Sequence, residues 1–267
     1  MPSRPAPASP AASTISRRSL SELTIEDQRA FSRLPLYRAL KSVLIRDGYT
    51  FRVLSPPSWD RALVLNLTYW SAAEGGDVLA GRRIAADVVT HVAWHHLAHK
   101  ALGVAKGGPS VRSLFLGESI ASAFDVYLMG HLLRVSPEAS FLATQVPAFA
   151  EVARSAGMRA PAFERLLGEL AADPEGAFSD LRTLLMDASL GLFESADVES
   201  AAAVFAGLEH RRFAPLLHHY ELSTWVLHAR AHGRDVADRR ATRIDEALRT
   251  TPALDWLVEH WLAPGDD

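Results

Sequence analysis

Residues 92–103 read VAWHHLAHKALG and decide the architecture of this chain. Apolar residues recur at helical spacing from 82 to 102, and Gly103 is typical of the residue that follows the last turn of a helix. On a helix with 3.6 residues per turn, His95 and His99 lie four residues apart and project from one face. Two imidazoles placed in this way can bind a single cation. The stretch therefore predicts a helix that carries two metal ligands.

A second helix is predicted from Ser110, a capping residue, to about Arg134. Its residues are apolar on most sides, as expected for a buried helix. Glu118 lies inside this apolar run, where an ionised carboxylate loses hydration unless a nearby charge compensates it. A cation held by His95 and His99 would provide that charge. Glu118 is therefore the predicted third ligand.

These two helices together resemble the gluzincin metallopeptidases, which have an HExxH motif followed by a downstream glutamate. The family pattern H-E-L-A-H-x-x-x-G is similar to residues 95–103, and L-N-E-G-F-A-x-x-F-E is similar to residues 116–125. Eighteen residues separate His99 from Glu118, as in aminopeptidase N-like members of the family. The resemblance implies that His95, His99 and Glu118 bind Zn²⁺.

One residue departs from the family pattern, and it affects the chemistry directly. The family has a general-base glutamate after the first histidine, whereas this chain has His96 there. In a first interpretation His96 is the base of a divergent metal-dependent hydrolase of peptide or amide bonds, since imidazole titrates near neutral pH. In a second, His96 joins His95, His99 and Glu118 as a fourth ligand, a set that suits Fe²⁺ or Mn²⁺ in an oxygenase-like enzyme. In a third, the protein is a catalytically inactive metallopeptidase-like binding protein.

Three further acidic or imidazole side chains are candidates for supporting roles. His91 lies one turn before His95, and Asp87 lies one turn before His91, so either could orient a ligand or take part in binding a second metal. Asp125 lies two turns after Glu118 on the same predicted face. It is either a hydrogen-bond partner of a liganding histidine or a surface carboxylate.

Hydrolysis also requires a group that stabilises the oxyanion. Histidines and arginines are dense between His210 and His232, and Tyr220 is the predicted catalytic residue among them. The alternative is that this region forms a solvated helix face.

The remaining patterns predict a mainly helical α+β protein. Strand signals lie in the N-terminal third, at 49–54 and at 62–70, and the second is a candidate edge strand for an extended substrate. Pro35 is expected to split a helix that runs from the mid-twenties to Gly48. From Pro137 onward the pattern is helical, with predicted helices over 137–156, 161–172, 178–193, 198–232 with a break at Pro215, 236–249 and 253–262.

The domain organisation follows from these elements. Residues 1–20 are rich in Pro, Ala and Ser and are predicted to be a disordered tail. Residues 21–267 are predicted to form one domain, in which 21–134 hold the strand element and the metal-site helices and 135–267 form a helical subdomain. The expected fold is a small N-terminal strand element, a gluzincin-like two-helix metal site and a C-terminal helical bundle.

Composition narrows the classes of cofactor and partner. The 267 residues are 48% hydrophobic with a formal net charge of -3, so nucleic acid is not an expected partner. The chain has no cysteine, so a metal must bind nitrogen and oxygen ligands. There is no apolar run of about 20 residues and no secretory-signal pattern, so we expect a cytoplasmic protein without a membrane segment. A peptide or small-molecule substrate is expected, and the oligomeric state is left open.

Overall fold

The computed structural model describes residues 14–68, 77–103 and 108–262. The chain forms two compact units, one of Met1–Glu26 with Ile45–Ile84 and one of Asp27–Leu44 with Ala85–Asp267. The single domain over 21–267 stays a prediction, since two compact units can belong to one domain. The mainly helical α+β class is confirmed, with the strands confined to the N-terminal third.

The described elements are numbered here in chain order. The strands are β1 (Thr14–Ser19), β2 (Thr24–Glu26), β3 (Thr50–Ser55), β4 (Val78–Leu79) and β5 (Arg83–Ala85). The helices are α1 (Gln28–Phe31), α2 (Pro35–Arg46), α3 (Trp59–Thr68), α4 (Ala86–Leu102), α5 (Val111–Val135), α6 (Ser140–Ser155), α7 (Ala160–Ala172), α8 (Pro174–Glu194), α9 (Val198–Leu208), α10 (Leu222–His232), α11 (Arg239–Thr250) and α12 (Ala253–Leu257). None of these helices combines the length and apolar character needed to span a bilayer.

The first unit contains a three-stranded sheet in the order β1-β3-β4 and a two-stranded sheet of β2 and β5. The strand predicted at 49–54 is confirmed as β3. β1 corrects part of the predicted disordered tail, because residues 14–19 pair antiparallel with β3 from Thr14–Ser55 to Ser19–Thr50. This pairing satisfies backbone groups that composition does not reveal. Residues 1–13 lie outside the described residues.

The strand predicted at 62–70 is wrong, because its residues up to 68 belong to α3. Ala62 and Asn66 lie four residues apart on one helical face. Ala62 packs with Leu54 and Val78, while the Asn66 side chain donates to the Val78 carbonyl at 2.9 Å and accepts from its N–H at 2.8 Å. The described part of this segment therefore offers no edge strand for a substrate. Residues 69 and 70 lie outside the described residues.

The second unit is built around the pair α4 and α5. A Cβ added at Gly117 would lie 3.6 Å from the Ala98 Cβ, and the rings of Trp94 and Phe124 are 5.5 Å apart. Trp94 comes before Ala98 on α4, whereas its partner Phe124 comes after Gly117 on α5. The two helices therefore run antiparallel. This arrangement brings the histidine-bearing helix against the helix that carries Glu118.

The ends of α4 and α5 follow the predicted local chemistry. Gly103 adopts φ 64° at the end of α4 and donates its N–H to the His99 carbonyl at 3.2 Å. Ser110 caps α5, where its hydroxyl accepts from the Ser113 N–H at 3.0 Å. The start of α4 is later than predicted, because residues 83–85 form β5. Both helices are thus confirmed, with one corrected boundary.

Helix α5 is buried on most sides as predicted and packs against α1, α4, α6, α7, α8, α10 and α11. α1 ends at Phe31 and α2 begins at Pro35, so the predicted split at that proline is confirmed. The predicted helix over 198–232 divides into α9, a 3₁₀ segment at Ala214–Tyr220 and α10. Arg182 of α8 is fully buried and donates to Asp245 of α11 at 2.6 Å.

Candidate metal site

Three side chains that can bind a metal meet between α4 and α5. One ligand atom each from His91, His95 and Glu118 lies within 4.8 Å of the other two. The Nε2 atoms of His91 and His95 are 3.1 Å apart, and His95 Nε2 is 3.5 Å from Glu118 Oε1. Donors about 2.0–2.2 Å from a tetrahedral zinc ion lie roughly 3.3–3.6 Å from one another. The group could therefore hold one metal ion.

The two helices expose these donors to different degrees. The side chain of Glu118 is 11% exposed, whereas that of His95 is 35% exposed. The carboxylate is therefore largely removed from bulk water, which makes a compensating positive charge favourable. The imidazole side of the group remains reachable from solvent, as a site that takes up an ion and a substrate must be.

The structure groups His91, rather than the predicted ligand His99, with His95. Ala98 marks the side of α4 that faces α5, because it lies against Gly117. Each residue turns the helix by about 100°, so His91 lies about 20° from Ala98, His95 about 60° and His99 about 100°. His99 is accordingly exposed. The rotation of α4 therefore selects the earlier of its two histidine pairs.

The sequence also carries a signal for His91. Residues 91–95 read HVAWH, which has the same four-residue histidine spacing as residues 95–99. The 18-residue interval before Glu118 favoured the later pair through its resemblance to the gluzincin pattern. Spacing along the chain does not determine how a helix is rotated about its axis, and that rotation decides which pair meets Glu118.

His96 is partly buried, and it is not a member of the three-donor group. Its position on α4 is about 160° around the helix axis from Ala98. This places it away from the side that faces α5. The predicted role of His96 as a base or as a fourth ligand stays a prediction, and its helical position does not favour it.

Electrostatic effects connect three further groups, Asp87 of α4, Asp125 of α5 and Tyr220 of the 3₁₀ segment. Burial raises the pKa of Asp125 well above its ordinary value, and the negative charge of Asp87 raises it further. Burial also raises the pKa of Tyr220, as does the charge of Asp125. These electrostatic effects connect the three groups to one another.

Tyr220 has an unusual environment for a buried tyrosine. It is 6% exposed, and its hydroxyl has no hydrogen-bond partner among the described residues. A buried hydroxyl without a partner is costly, so such groups often mark places where a water, ion or ligand binds. The predicted catalytic role of Tyr220 stays a prediction.

The histidine-rich region around Tyr220 is explained largely by packing. The His218 ring stacks on Phe205 at 5.7 Å, and His219 meets Phe149 edge-on at 4.4 Å. Burial lowers the pKa of His219. These contacts favour a structural role for the two histidines, neither of which belongs to the three-donor group.

Comparison of the chain with protein-family models gives no match. Comparisons with curated proteins and with solved structures give no match either. Function must therefore be inferred from the chemistry of the site itself.

Proposed function

We propose that the protein is a metal-dependent hydrolase of peptide or amide bonds whose ion is held by His91, His95 and Glu118. The observation that carries this proposal is the spacing of the three donors, 3.1 Å between the imidazoles and 3.5 Å from imidazole to carboxylate. Two histidines and one glutamate are the ligands of several zinc peptidases, in which a fourth position is left for water. Bound Zn²⁺ would lower the pKa of that water and polarise a substrate carbonyl.

The three residues contribute differently to such a site. His91 and His95 bind as neutral imidazoles from adjacent turns of one helix, so their separation is fixed by the helix itself. Glu118 adds a negative charge from the opposite helix, and its burial makes the positive charge of an ion favourable there. Two ligands on one helix and a glutamate on the following antiparallel helix are an arrangement shared with the gluzincins, although His91 and His95 are not the pair that matches the family motif.

An iron-dependent oxygenase is the second candidate, and the donor composition favours it specifically. Two histidines and one carboxylate form the facial triad that binds non-heme Fe(II) in many oxygenases. The group here has this composition. The hydrolase remains our first choice because the ligands are arranged on two consecutive helices as in the gluzincins.

Metal content of His91→Ala and His99→Ala is the decisive test. The two variants remove the same group from the same helix, and only His91 belongs to the three-donor group. After Zn²⁺ loading and dialysis, we expect about one equivalent of zinc by mass spectrometry in the wild type and in His99→Ala, and loss of most of it in His91→Ala. Full zinc content in His91→Ala would contradict the proposed ligand set.

Activity then separates the functional classes. Zinc-loaded wild type is expected to cleave members of a mixed peptide library, and His91→Ala is expected to be inactive. Purification with stoichiometric iron and an optical band would instead support the oxygenase. Zinc at one equivalent without cleavage of any peptide or amide would contradict the hydrolase and indicate a binding protein.

A further inference from the structure

We infer that the start of α11, together with Arg112 of α5, forms a binding site for a small organic molecule that carries a phosphate monoester. Three features carry this proposal: a cavity, three guanidinium groups that line it, and a shortage of carboxylates around them. The site is separate from the metal-binding group, because Arg112 precedes Glu118 by about 9 Å along α5 and lies about 120° away around the helix axis.

The cavity lies where the first residues of α5 and α11 meet, and its volume is about 630 Å³. Its lining includes Arg112, Val236, Asp238, Arg239, Thr242 and Arg243. Pockets that bind small molecules in proteins have volumes of about 300–1,000 Å³. An inorganic ion would fill only a small part of such a volume, so the cavity has room for the organic part of a ligand as well as for its anionic group.

The walls of the cavity are held together by hydrogen bonds between α5 and the segment before α11. Arg234 donates its N–H to the Pro109 carbonyl at 3.0 Å, and its own carbonyl accepts from the Val111 N–H at 3.1 Å. The Asp238 carboxylate accepts from the Ser110 hydroxyl at 2.5 Å. The cavity is therefore formed before a ligand enters, which reduces the entropy lost on binding.

Arg112 has only a share of one carboxylate. Asp245 is paired with Arg182 at 2.6 Å and with Arg249 at 3.1 Å, and Arg112 is the third and most distant guanidinium at 3.4 Å. The Arg112 side chain is also 34% exposed. Because a guanidinium has five N–H donors and one carboxylate does not neutralise three guanidiniums, Arg112 can bind a further anion.

Arg239 and Arg243 lie one turn apart at the start of α11, and both are exposed. Arg243 donates from Nε to the Arg239 carbonyl at 3.3 Å, and within the part of the chain that the structure describes neither side chain forms an ion pair with a carboxylate. Like charges four residues apart destabilise a helix, and positive charges in its first turn oppose the helix dipole. A bound anion would relieve both effects.

The charge of the lining favours a dianion. Asp238 is the one carboxylate among the lining residues, so three guanidiniums and one carboxylate leave a surplus of two positive charges. A phosphate monoester carries a charge of about −1.5 to −2 at pH 7 and has three acceptor oxygens. Asp238 already accepts from the N–H groups of Arg240 and Ala241 at 3.1 and 2.9 Å. The guanidiniums, rather than the end of the helix, would therefore bind the phosphate.

Titration calorimetry with phenyl phosphate tests the site. The comparison probe is phenyl sulfate, which has the same shape and one negative charge. Both are titrated at pH 7.5 into the protein as purified and again in the presence of a chelator, which prevents phosphate from binding to a metal ion. We expect one equivalent of phenyl phosphate to bind about tenfold more tightly than phenyl sulfate, and Arg239→Gln and Arg243→Gln each to weaken it about tenfold, since each removes a charged hydrogen-bond donor.

The matched control is Arg165→Gln, which removes the same charge from an exposed position on α7 and should leave the affinity unchanged. Both cavity variants replace exposed side chains, and thermal unfolding checks that they fold. Equal weakening by Arg165→Gln and Arg243→Gln would overturn the site, as would the absence of saturable binding at millimolar phenyl phosphate. Neither result depends on zinc binding or on hydrolysis, so failure of this site and failure of the proposed function are distinguishable.

Larger polyanions are tested against the same variants. Vesicles that contain phosphatidic acid and a short DNA duplex present phosphates on a surface rather than on a small molecule. Binding of either one that Arg243→Gln loses, without binding of phenyl phosphate, would overturn the assignment to a small molecule and would indicate a membrane or a nucleic acid as the partner.

Discussion

Two buried carboxylates of the second unit, Asp245 and Glu118, differ in the groups that surround them. Asp245 on α11 is 4% exposed. It pairs with Arg182 at 2.6 Å, Arg249 at 3.1 Å and Arg112 at 3.4 Å. Guanidinium groups are permanently charged, so the fold itself neutralises this carboxylate.

Glu118 on α5 is 8% exposed and faces imidazoles instead. It lies 3.5 Å from His95 Nε2, and His91 completes the group. Imidazoles are largely neutral near pH 7 and are common metal ligands. A buried carboxylate among arginines stabilises the fold, whereas one beside imidazoles could hold a cation.

The largest effect on stability is expected for Asp245→Ala. The substitution leaves the guanidinium of Arg182 buried without its carboxylate, and removal of one partner of a buried ion pair costs about 3–5 kcal/mol. Urea denaturation measures this loss, while zinc content should stay at the wild-type level. Glu246→Ala, an exposed neighbour on α11, is the control. A loss below about 1 kcal/mol would show that the arginines do not depend on Asp245.

Glu118→Gln is expected to act on metal affinity and hardly on the metal-free fold. Loss of outer-shell partners alone lowers affinity about 10–100-fold, so loss of a ligand should lower it roughly 100-fold or more. Competition with a chromophoric chelator measures the affinity. In the metal-free protein, the free energy of unfolding should change by less than about 1 kcal/mol, because glutamine keeps the shape and removes only a charge. A loss of stability as large as that of Asp245→Ala would show that Glu118 stabilises the fold, as Asp245 does, and would contradict the contrast between the two carboxylates.

A smaller loss of stability is expected from a substitution that shifts the backbone of α5 and leaves Asp245 and Glu118 unchanged. A Cβ at Gly130 would overlap the Leu170 carbonyl of α7, so Gly130→Ala should lower stability by about 1–3 kcal/mol. Zinc content should be retained, since Gly130 lies three turns from Glu118. Gly168→Ala on α7, where a Cβ meets no atom within 4 Å, should instead raise stability by up to about 1 kcal/mol. Equal destabilisation by both alanines would contradict the packing explanation.

Predictions that depend on neighbouring residues agreed with the structure. The cap at Ser110, the end of α4 at Gly103 and the split at Pro35 each depend on the conformational preferences of one or two residues. The strand predicted at 62–70 was wrong because the conformation of this segment depends on a residue that is distant in the sequence. Its alternating leucines indicate a strand locally, but Asn66 is held by Val78 twelve residues away.

The choice between His91 and His99 as metal ligand also depends on contacts that are distant in the sequence. The sequence by itself determined that α4 carries histidines at four-residue spacing and that the next helix carries a carboxylate in apolar surroundings. Only the tertiary structure decided which pair meets that carboxylate. The packing of Ala98 on Gly117 sets the rotation of α4, and a rotation about a helix axis is fixed by contacts between helices rather than by the order of residues along one of them.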